Sequence, residues 1–207
     1  MTSHLIAIIG ASGSGKTTLS RYLCQALGER TGETINCISQ DVYYRDYTHL
    51  SAAERGRVNF DHPDSFDFAA LAGDLSRLAA GEAVCVPEYD YVTHRPRARA
   101  RHVASGGVLL VEGILLLHDP RVRELFSTTI YLDLPLALCF ERRLERDVRE
   151  RGRSAESVRR QFSENVVPMF ERYLAPQRQH AQWVLDNNDA PSALVDALVT
   201  RLAKCKV

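Results

Sequence analysis

The sequence predicts an α/β fold: a five-stranded parallel sheet with helices on both faces, a small β-ribbon lobe and an arginine-rich helical lid. Three observations carry this. Short runs rich in Val, Ile and Leu, at residues 5–9, 34–39, 107–112, 129–134 and 181–185, alternate with segments of helical periodicity. That is the pattern of strands buried from both sides by crossover helices. A glycine-rich turn joins the first run to the first helix. Residues 83–103 instead alternate tyrosines, then arginines, with other residues, which suits a hairpin lying over the sheet.

The glycine-rich turn is the most informative stretch. Ile6 to Thr18 reads IAIIGASGSGKTT, and Gly10-x-x-x-x-Gly15-Lys16-Thr17 fits the phosphate-binding P-loop in its required context of strand, turn and helix. Gly10, Gly13 and Gly15 allow successive backbone N–H groups to point at phosphate oxygens, with Ser12, Ser14 and Thr18 in the same cradle. The helix opening near Lys16 adds its positive end. Lys16 supplies a point charge for the β- and γ-phosphates, and the Thr17 hydroxyl is a Mg²⁺ ligand. The chain has three lysines, at 16, 204 and 206, so Lys16 is the only one in its body. These residues predict a P-loop NTPase three-layer fold that handles a nucleoside triphosphate.

At 207 residues, 45% apolar and 25% charged, the chain reads as one globular domain spanning 1–207. Zero formal net charge argues against a general nucleic-acid binder. The basic residues are nearly all clustered arginines, which suits anion recognition at a site. Cys24, Cys37, Cys85, Cys139 and Cys205 contain no C-x-x-C and sit mostly in apolar segments, so reduced, buried thiols of a cytoplasmic protein are expected. No apolar run reaches membrane-spanning length, and no signal peptide is expected.

Along the chain, Leu19, Leu23, Ala26 and Leu27 recur at helical spacing until Gly28 or Gly32. The strand at 34–39 runs into Gln40-Asp41-Val42-Tyr43-Tyr44, and strand ends carry the ligand groups of parallel sheets, which places Asp41 for chemistry. A short helix follows near 51–56. In Asn59-Phe60-Asp61-His62-Pro63-Asp64-Ser65-Phe66-Asp67, one of Asp64, Ser65 or Asp67 caps the helix of Phe68, Leu71, Leu75 and Leu78. Asp61 is not needed as a cap and is either a ligand group or a loop residue. Arg95, Arg97, Arg99 and Arg101 read equally as a solvated strand face or as anion contacts.

The strand at 107–112 ends in Glu112, where P-loop proteins hold the Mg²⁺ water shell. Pro135 opens a long helix whose second half mixes both charges at i, i+3 and i+4, so most of those residues read as a solvated face. Gly152 breaks it between Arg151 and Arg153, and Ser154 caps a further helix carrying Val158, Phe162, Val166 and Met169. Arginines straddling a glycine hinge look like a flap closing on phosphates. The substrate lobe is expected at about 41–104 and the lid at about 142–160.

Several separated stretches match one family in order: GASGSGKTT, the D-x-Y-Y of 41–44, NFDHPDSFD, PEYDYVTH, LLVEGIL, RRLERDVRERGR, VRRQF and VVPMFERYLAP. They lie within residues 5–185. The chain resembles the uridine–cytidine kinase family of P-loop kinases, which phosphorylate the ribose 5′-hydroxyl of pyrimidine nucleosides. The P-loop is shared by a vast superfamily; NFDHPD together with YDYxxH is far more specific. The resemblance implies that Asp41 is the base receiving the 5′-hydroxyl proton, and that Asp61 and Arg143 hold the ribose hydroxyls beside Phe60. It implies that Tyr89 and His94 address the pyrimidine edge while Tyr91 stacks on the ring. Arg153 and Gln161 look like further nucleoside contacts, and Arg146 and Arg151 like lid arginines for the triphosphate. It further implies ATP or GTP as donor, Mg²⁺, and a homo-oligomer, a tetramer.

Two departures from the family pattern stand out. His94 is followed by Arg95-Pro96-Arg97 and more arginines without a nearby acid, and a glycine pair after the last strand is replaced by Asp186-Asn187-Asn188-Asp189. The competing readings are a kinase for phosphoribulose, pantothenate or nicotinamide riboside, with the extra arginines favouring a phosphorylated sugar, and a GTP-dependent switch. The switch lacks the Asn-Lys-x-Asp that reads guanine.

Overall fold

The computed structural model describes residues 3–186 and 191–204. In chain order, β1 (His4–Gly10) leads into α1 (Lys16–Thr31), β2 (Asn36–Ser39), a 3-10 turn (Gln40–Tyr43), the short α2 (Ala52–Arg55), a second 3-10 turn (Pro63–Ser65) and α3 (Phe68–Ala79). A ribbon of β3 (Val84–Asp90) and β4 (Arg95–Val103) follows, then β5 (Val108–Gly113), α4 (Pro120–Arg123) and β6 (Thr128–Asp133). The rest comprises α5 (Leu136–Arg151), α6 (Ala155–Gln161), α7 (Val167–Met169) between two π-helical turns, β7 (Trp183–Asp186) and α8 (Pro191–Lys204).

The sheet runs β2-β5-β1-β6-β7 with every neighbouring pair parallel. β1 occupies the centre because its side chains are apolar on both faces. Leu5, Ala7 and Ile9 enter one core with Leu71, Leu75 and Leu78 of α3; Ile6 and Ile8 enter the other with Leu19 and Leu23 of α1 and Leu198 and Leu202 of α8. Each of these Leu and Ile side chains, fully buried, contributes about 1.5–3 kcal/mol. Ser39 and Ile8 both lie beside Glu112 in the ladder, so β1, β2 and β5 finish together. That register brings the P-loop, the Asp41 turn and Glu112 to one edge of the sheet.

Local signals account for most boundaries. Gly32, not Gly28, ends α1, in the left-handed region with its N–H bonded to the Gly28 carbonyl. Asp67 is the residue that caps α3, its Oδ1 accepting the Ala70 N–H at 2.9 Å. Asp186 ends β7, and the Asn187–Asp189 part of the replaced turn lies outside the described residues.

Two expectations need correction. The cysteines are free but not uniformly buried: Cys139 is buried, Cys24 and Cys37 are half-buried, and Cys85 is exposed on the ribbon; Cys205 lies outside the described residues. The segment after Ser154 is not one α-helix. α6 passes into a π-helical turn at Phe162–Val166, α7, and a second π turn at Phe170–Leu174. Its apolar residues recur at steps of four, and Val158, Phe162, Val166 and Leu174 are all buried. On a regular α-helix that spacing drifts by about 40° per step, whereas wider π turns hold it on one face. Among the described residues, no helix is long and apolar enough to cross a membrane.

Candidate active site

The P-loop is shaped by close packing. Gly13 has φ 91°, and a side chain there would collide with the backbone carbonyl of Cys139 in α5. Gly15 is the N-cap of α1; no side chain caps the helix, and its first turn holds no acid. The opening N–H groups of α1 therefore face an anion site. Lys16 Nζ donates to the Ala11 carbonyl at 3.5 Å, which holds it over the loop.

A cleft of about 660 Å³ opens above these strand ends. Ser12, Gly13, Gly15, Lys16, Thr17 and Thr18 form its floor, and Asp41, Phe60, Asp61, Tyr89, Tyr91, His94 and Glu112 its flank. Arg143, Arg146, Arg151, Arg153 and Gln161 close over it. Of the residues singled out in the sequence, Gly10 and Ser14 do not line the cleft. Gly10 packs against Ser14 and Leu132, and Ser14 is wholly buried, so both shape the loop from behind.

Two aspartates reach the cleft from different loops. Asp41 sits in the 3-10 turn after β2, its N–H donating to Ser39 Oγ at 3.4 Å and its Oδ1 accepting the Tyr44 hydroxyl at 3.4 Å. Burial, then the charges of Asp41 and Asp61, push the Tyr44 hydroxyl far up, so it remains a donor. Tyr44 is wedged among Phe60, Phe66 and Tyr89, with ring centroids 4.9, 4.6 and 5.3 Å away.

Asp61 is set by a tight loop. Its N–H donates to Asn59 Oδ1 at 3.1 Å, and Ser65 Oγ donates to the Asn59 carbonyl at 2.6 Å. His62 Nδ1 accepts the Asp64 N–H at 3.1 Å, which leaves the ring proton on Nε2, 3.1 Å from the Tyr173 hydroxyl. The Asp61 loop is thereby tied to the π-helical segment. The Asp61 carboxyl is pushed up by burial, opposed by Arg143 and reinforced by Asp41. Burial likewise pushes Glu112 up, opposed first by Lys16 and then, more weakly, by the nearby Ser39 and Thr17 hydroxyls. Thr17 and Glu112 thus offer oxygen ligands to a hard cation. Among the described residues no cluster of three His, Cys, Asp or Glu side chains could hold a metal by itself, so phosphate and water oxygens would have to complete any shell.

The acceptor end is aromatic. His94, at φ 53°, stacks on Phe60 with centroids 4.7 Å apart and planes 12° from parallel. Burial, then Arg153, Arg151 and Arg55, hold His94 below its ordinary value, so it is neutral near pH 7. The Tyr89 hydroxyl is buried, with no hydrogen-bond partner among the described residues. Tyr91 stands edge-on to Tyr89 at 5.5 Å, and Arg151 lies over its ring at 5.1 Å. The face of Tyr91 that Arg151 covers is closed to any base.

The arginines divide into two sets. Arg95, Arg97, Arg99 and Arg101 on β4 are exposed and do not line the cleft. Arg101 donates to the Cys37 carbonyl at 2.6 Å on the edge strand, and Arg97 lies 4.0 Å from Asp90. Arg143, Arg146, Arg151 and Arg153 gather instead on Asp147, whose side chain is fully buried and lies 2.8 to 3.6 Å from all four. Gln161 Oε1 accepts from Arg143 at 2.8 Å and from Arg153. Gly152, at φ 63°, makes the turn that puts Arg153 back on the same carboxylate.

A family model described as the phosphoribulokinase / uridine kinase family matches residues 5–191. The chain belongs to that family. It is therefore a kinase, with a P-loop that takes the phosphate donor. A uridine kinase from Vibrio cholerae serotype O1 is 40% identical over 201 residues, covering 97% of this chain and 94% of that protein. A uridine kinase from Proteus mirabilis is 39% identical over 207 residues, covering 98% and 97%. A phosphoribulokinase from Rhodobacter spheroides superposes with a TM-score of 0.67 over 92% of this chain and 74% of its own; at 14% identity the likeness is one of fold.

Sequence reasoning missed Asp147. An acid among mixed charges at helical spacing reads as one more member of a solvated face, and nothing local marks it as buried. Tyr44 was visible within its motif but carried no role. Its signal was the apolar company of Phe60 and Phe66, brought together only by the fold.

Proposed function

We propose that this kinase transfers the γ-phosphoryl group of ATP to the ribose 5′-hydroxyl of uridine and cytidine, giving UMP and CMP in cytoplasmic pyrimidine salvage. One observation carries the choice of acceptor. The cleft wall beyond Asp41 carries Phe60, Tyr91, a neutral His94 and a buried Tyr89 hydroxyl that no described residue bonds, while none of the β4 arginines that would suit a phosphorylated sugar lines the cleft. A buried donor without a partner disfavours an empty or purely apolar pocket and favours a ligand with an acceptor there. The uridine kinase relatives support the same reading.

In this reading Asp61 and Arg143 hold the ribose hydroxyls beside Phe60, Tyr89 and His94 address the edge of the base, and Tyr91 meets its ring by the face that Arg151 does not cover. Asp41 orients the 5′-hydroxyl and takes its proton as the oxygen attacks in line. Lys16, the open end of α1, Arg146 and Arg151 bind the phosphates and exclude water around them. Thr17 and Glu112 would hold Mg²⁺, which when bound neutralises charge on the β- and γ-oxygens. The test is the product: with ATP and uridine, proton-coupled ³¹P spectra should show the triplet of a 5′-monophosphate. A doublet from a 2′- or 3′-phosphate, or no phosphoryl transfer, would overturn it.

A further inference from the structure

Asp147 divides its two oxygens between two sets of arginines. Oδ1 accepts from Arg146 Nε at 2.9 Å and lies 2.8 Å from Arg146 Nη2 and 3.5 Å from Arg151. Those are the arginines of the triphosphate end. Oδ2 faces Arg143 Nε at 3.5 Å and Arg153 Nη1 at 3.6 Å, the arginines of the nucleoside end. The division is unequal. Oδ2 and Arg143 Nε are both buried, and neither makes a hydrogen bond among the described residues. A buried donor and acceptor a few tenths of an ångström beyond bonding distance are costly to leave open and gain by closing. The Asp147 carbonyl also accepts the N–H groups of Gly152 and of Arg153, the latter at 3.1 Å, so the same residue holds the hinge.

We propose that Asp147 couples the two substrates, so that binding of the triphosphate tightens the grip of Arg143 and Arg153 on the nucleoside. When phosphate oxygens draw Arg146 and Arg151 away from Oδ1, the carboxylate loses its nearer partners. It then moves onto Arg143 and Arg153, closing the open Oδ2–Nε pair. Those two guanidiniums, already sharing Gln161, become fixed in one arrangement before the nucleoside arrives. The effect is reciprocal, since a coupling free energy belongs to both ligands. The inference rests on the assignment of the four arginines to two substrates made above. Asp147 touches neither substrate and acts as a positioning residue.

The experiment uses the full chain and a non-hydrolysable ATP analogue, AMPPNP, with Mg²⁺. In guanidinium ¹⁵N–¹H spectra without nucleoside, AMPPNP should shift the Nε signals of Arg143 and Arg153 in the wild type. In Asp147→Asn only Arg146 and Arg151 should respond, because a neutral amide has no charge to transfer. Calorimetry then reads the consequence: AMPPNP should tighten uridine binding by roughly 5–150-fold in the wild type, little in Asp147→Asn, and partly in Asp147→Glu. A second variant keeps the buried carboxylate and removes one of its partners. Arg146→Ala should bind uridine more tightly than the wild type when no nucleotide is present, because it removes the competitor on Oδ1. Unchanged Arg143 and Arg153 signals in the wild type, full coupling in Asp147→Asn, or weaker uridine binding by Arg146→Ala would each overturn the inference. Failure of the uridine assignment looks different: no heat with uridine in either protein, while the arginine spectra still respond to AMPPNP as stated.

Discussion

Asp61→Asn separates a ribose ligand from a loop aspartate. The backbone of residue 61 is held by Asn59, and no hydrogen bond within the chain reaches its carboxylate among the described residues, so the amide leaves the loop intact. What changes is the charge facing the cleft. Hydrogen bonds to a charged partner contribute about 1.5–3 kcal/mol, which at 1.4 kcal/mol per decade predicts a roughly 10–150-fold loss of uridine affinity. 2′-Deoxyuridine, lacking one of the two hydroxyls, should lose much less. Stability should move the other way. Burial raises the Asp61 pKa despite Arg143, so the ionised carboxylate disfavours the fold above that pKa, and the penalty fades as pH falls through it. The amide removes it at every pH, so the variant should melt no lower than the wild type at pH 7. Titration calorimetry with both nucleosides, alongside thermal melts from pH 4 to 8, measures both effects. Equal affinity losses for uridine and 2′-deoxyuridine would refute the ribose contact, and a lower melting temperature with unchanged affinity would mark Asp61 as a loop residue.

Asp41→Asn should lower the single-turnover rate ~10²–10⁴-fold, the usual span for a general base, with little change in uridine affinity; a wild-type rate would remove Asp41 from the chemistry. Lys16→Ala should abolish turnover while leaving the melting temperature near that of the wild type, because among the described residues the Nζ hydrogen bond is a long one to the loop carbonyl of Ala11; near-normal kcat in the folded variant would contradict the phosphate assignment. His94 is held below its ordinary value of 6.5 by burial and three arginines. Protonating it adds a fourth positive charge, so the KM for uridine should stay flat from pH 8 to 6.5 and rise at lower pH, and His94→Ala should remove that rise. The unfolded chain takes up the same proton more readily, so His94 also makes stability fall as pH drops below 6.5. A KM rise that persists in His94→Ala would assign the titration elsewhere.

The parts of this site written in consecutive residues were legible in the sequence. Gly10 to Thr18 prescribes its own backbone, and Gly152 needs only a positive φ to mark the hinge. The strand ends at Asp41 and Glu112 follow from apolar runs that stop at a charge. What could not be read depends on which residues a distant element covers. Asp147 is buried under four arginines, and one of them, Arg153, reaches it only because Gly152 turns the chain back. The β4 arginines resemble those of α5 as letters, yet the former lie on an outer strand and the latter over the cleft. The π turns were hidden for a related reason: steps of four fit an α-helix well over one turn, and only their sum over Val158 to Leu174 demands a wider helix.

The roles proposed for the cleft residues all depend on the acceptor being an unphosphorylated pyrimidine nucleoside. The most direct measurement is ADP release coupled to absorbance, with ATP and Mg²⁺ fixed and uridine, cytidine, adenosine, ribulose 5-phosphate, pantothenate and nicotinamide riboside as acceptors in turn. The kcat/KM for uridine and cytidine should exceed that for every other acceptor by at least about 10²-fold, since polar groups built for one edge are left unpaired by another. A higher kcat/KM for ribulose 5-phosphate than for either pyrimidine nucleoside would contradict it.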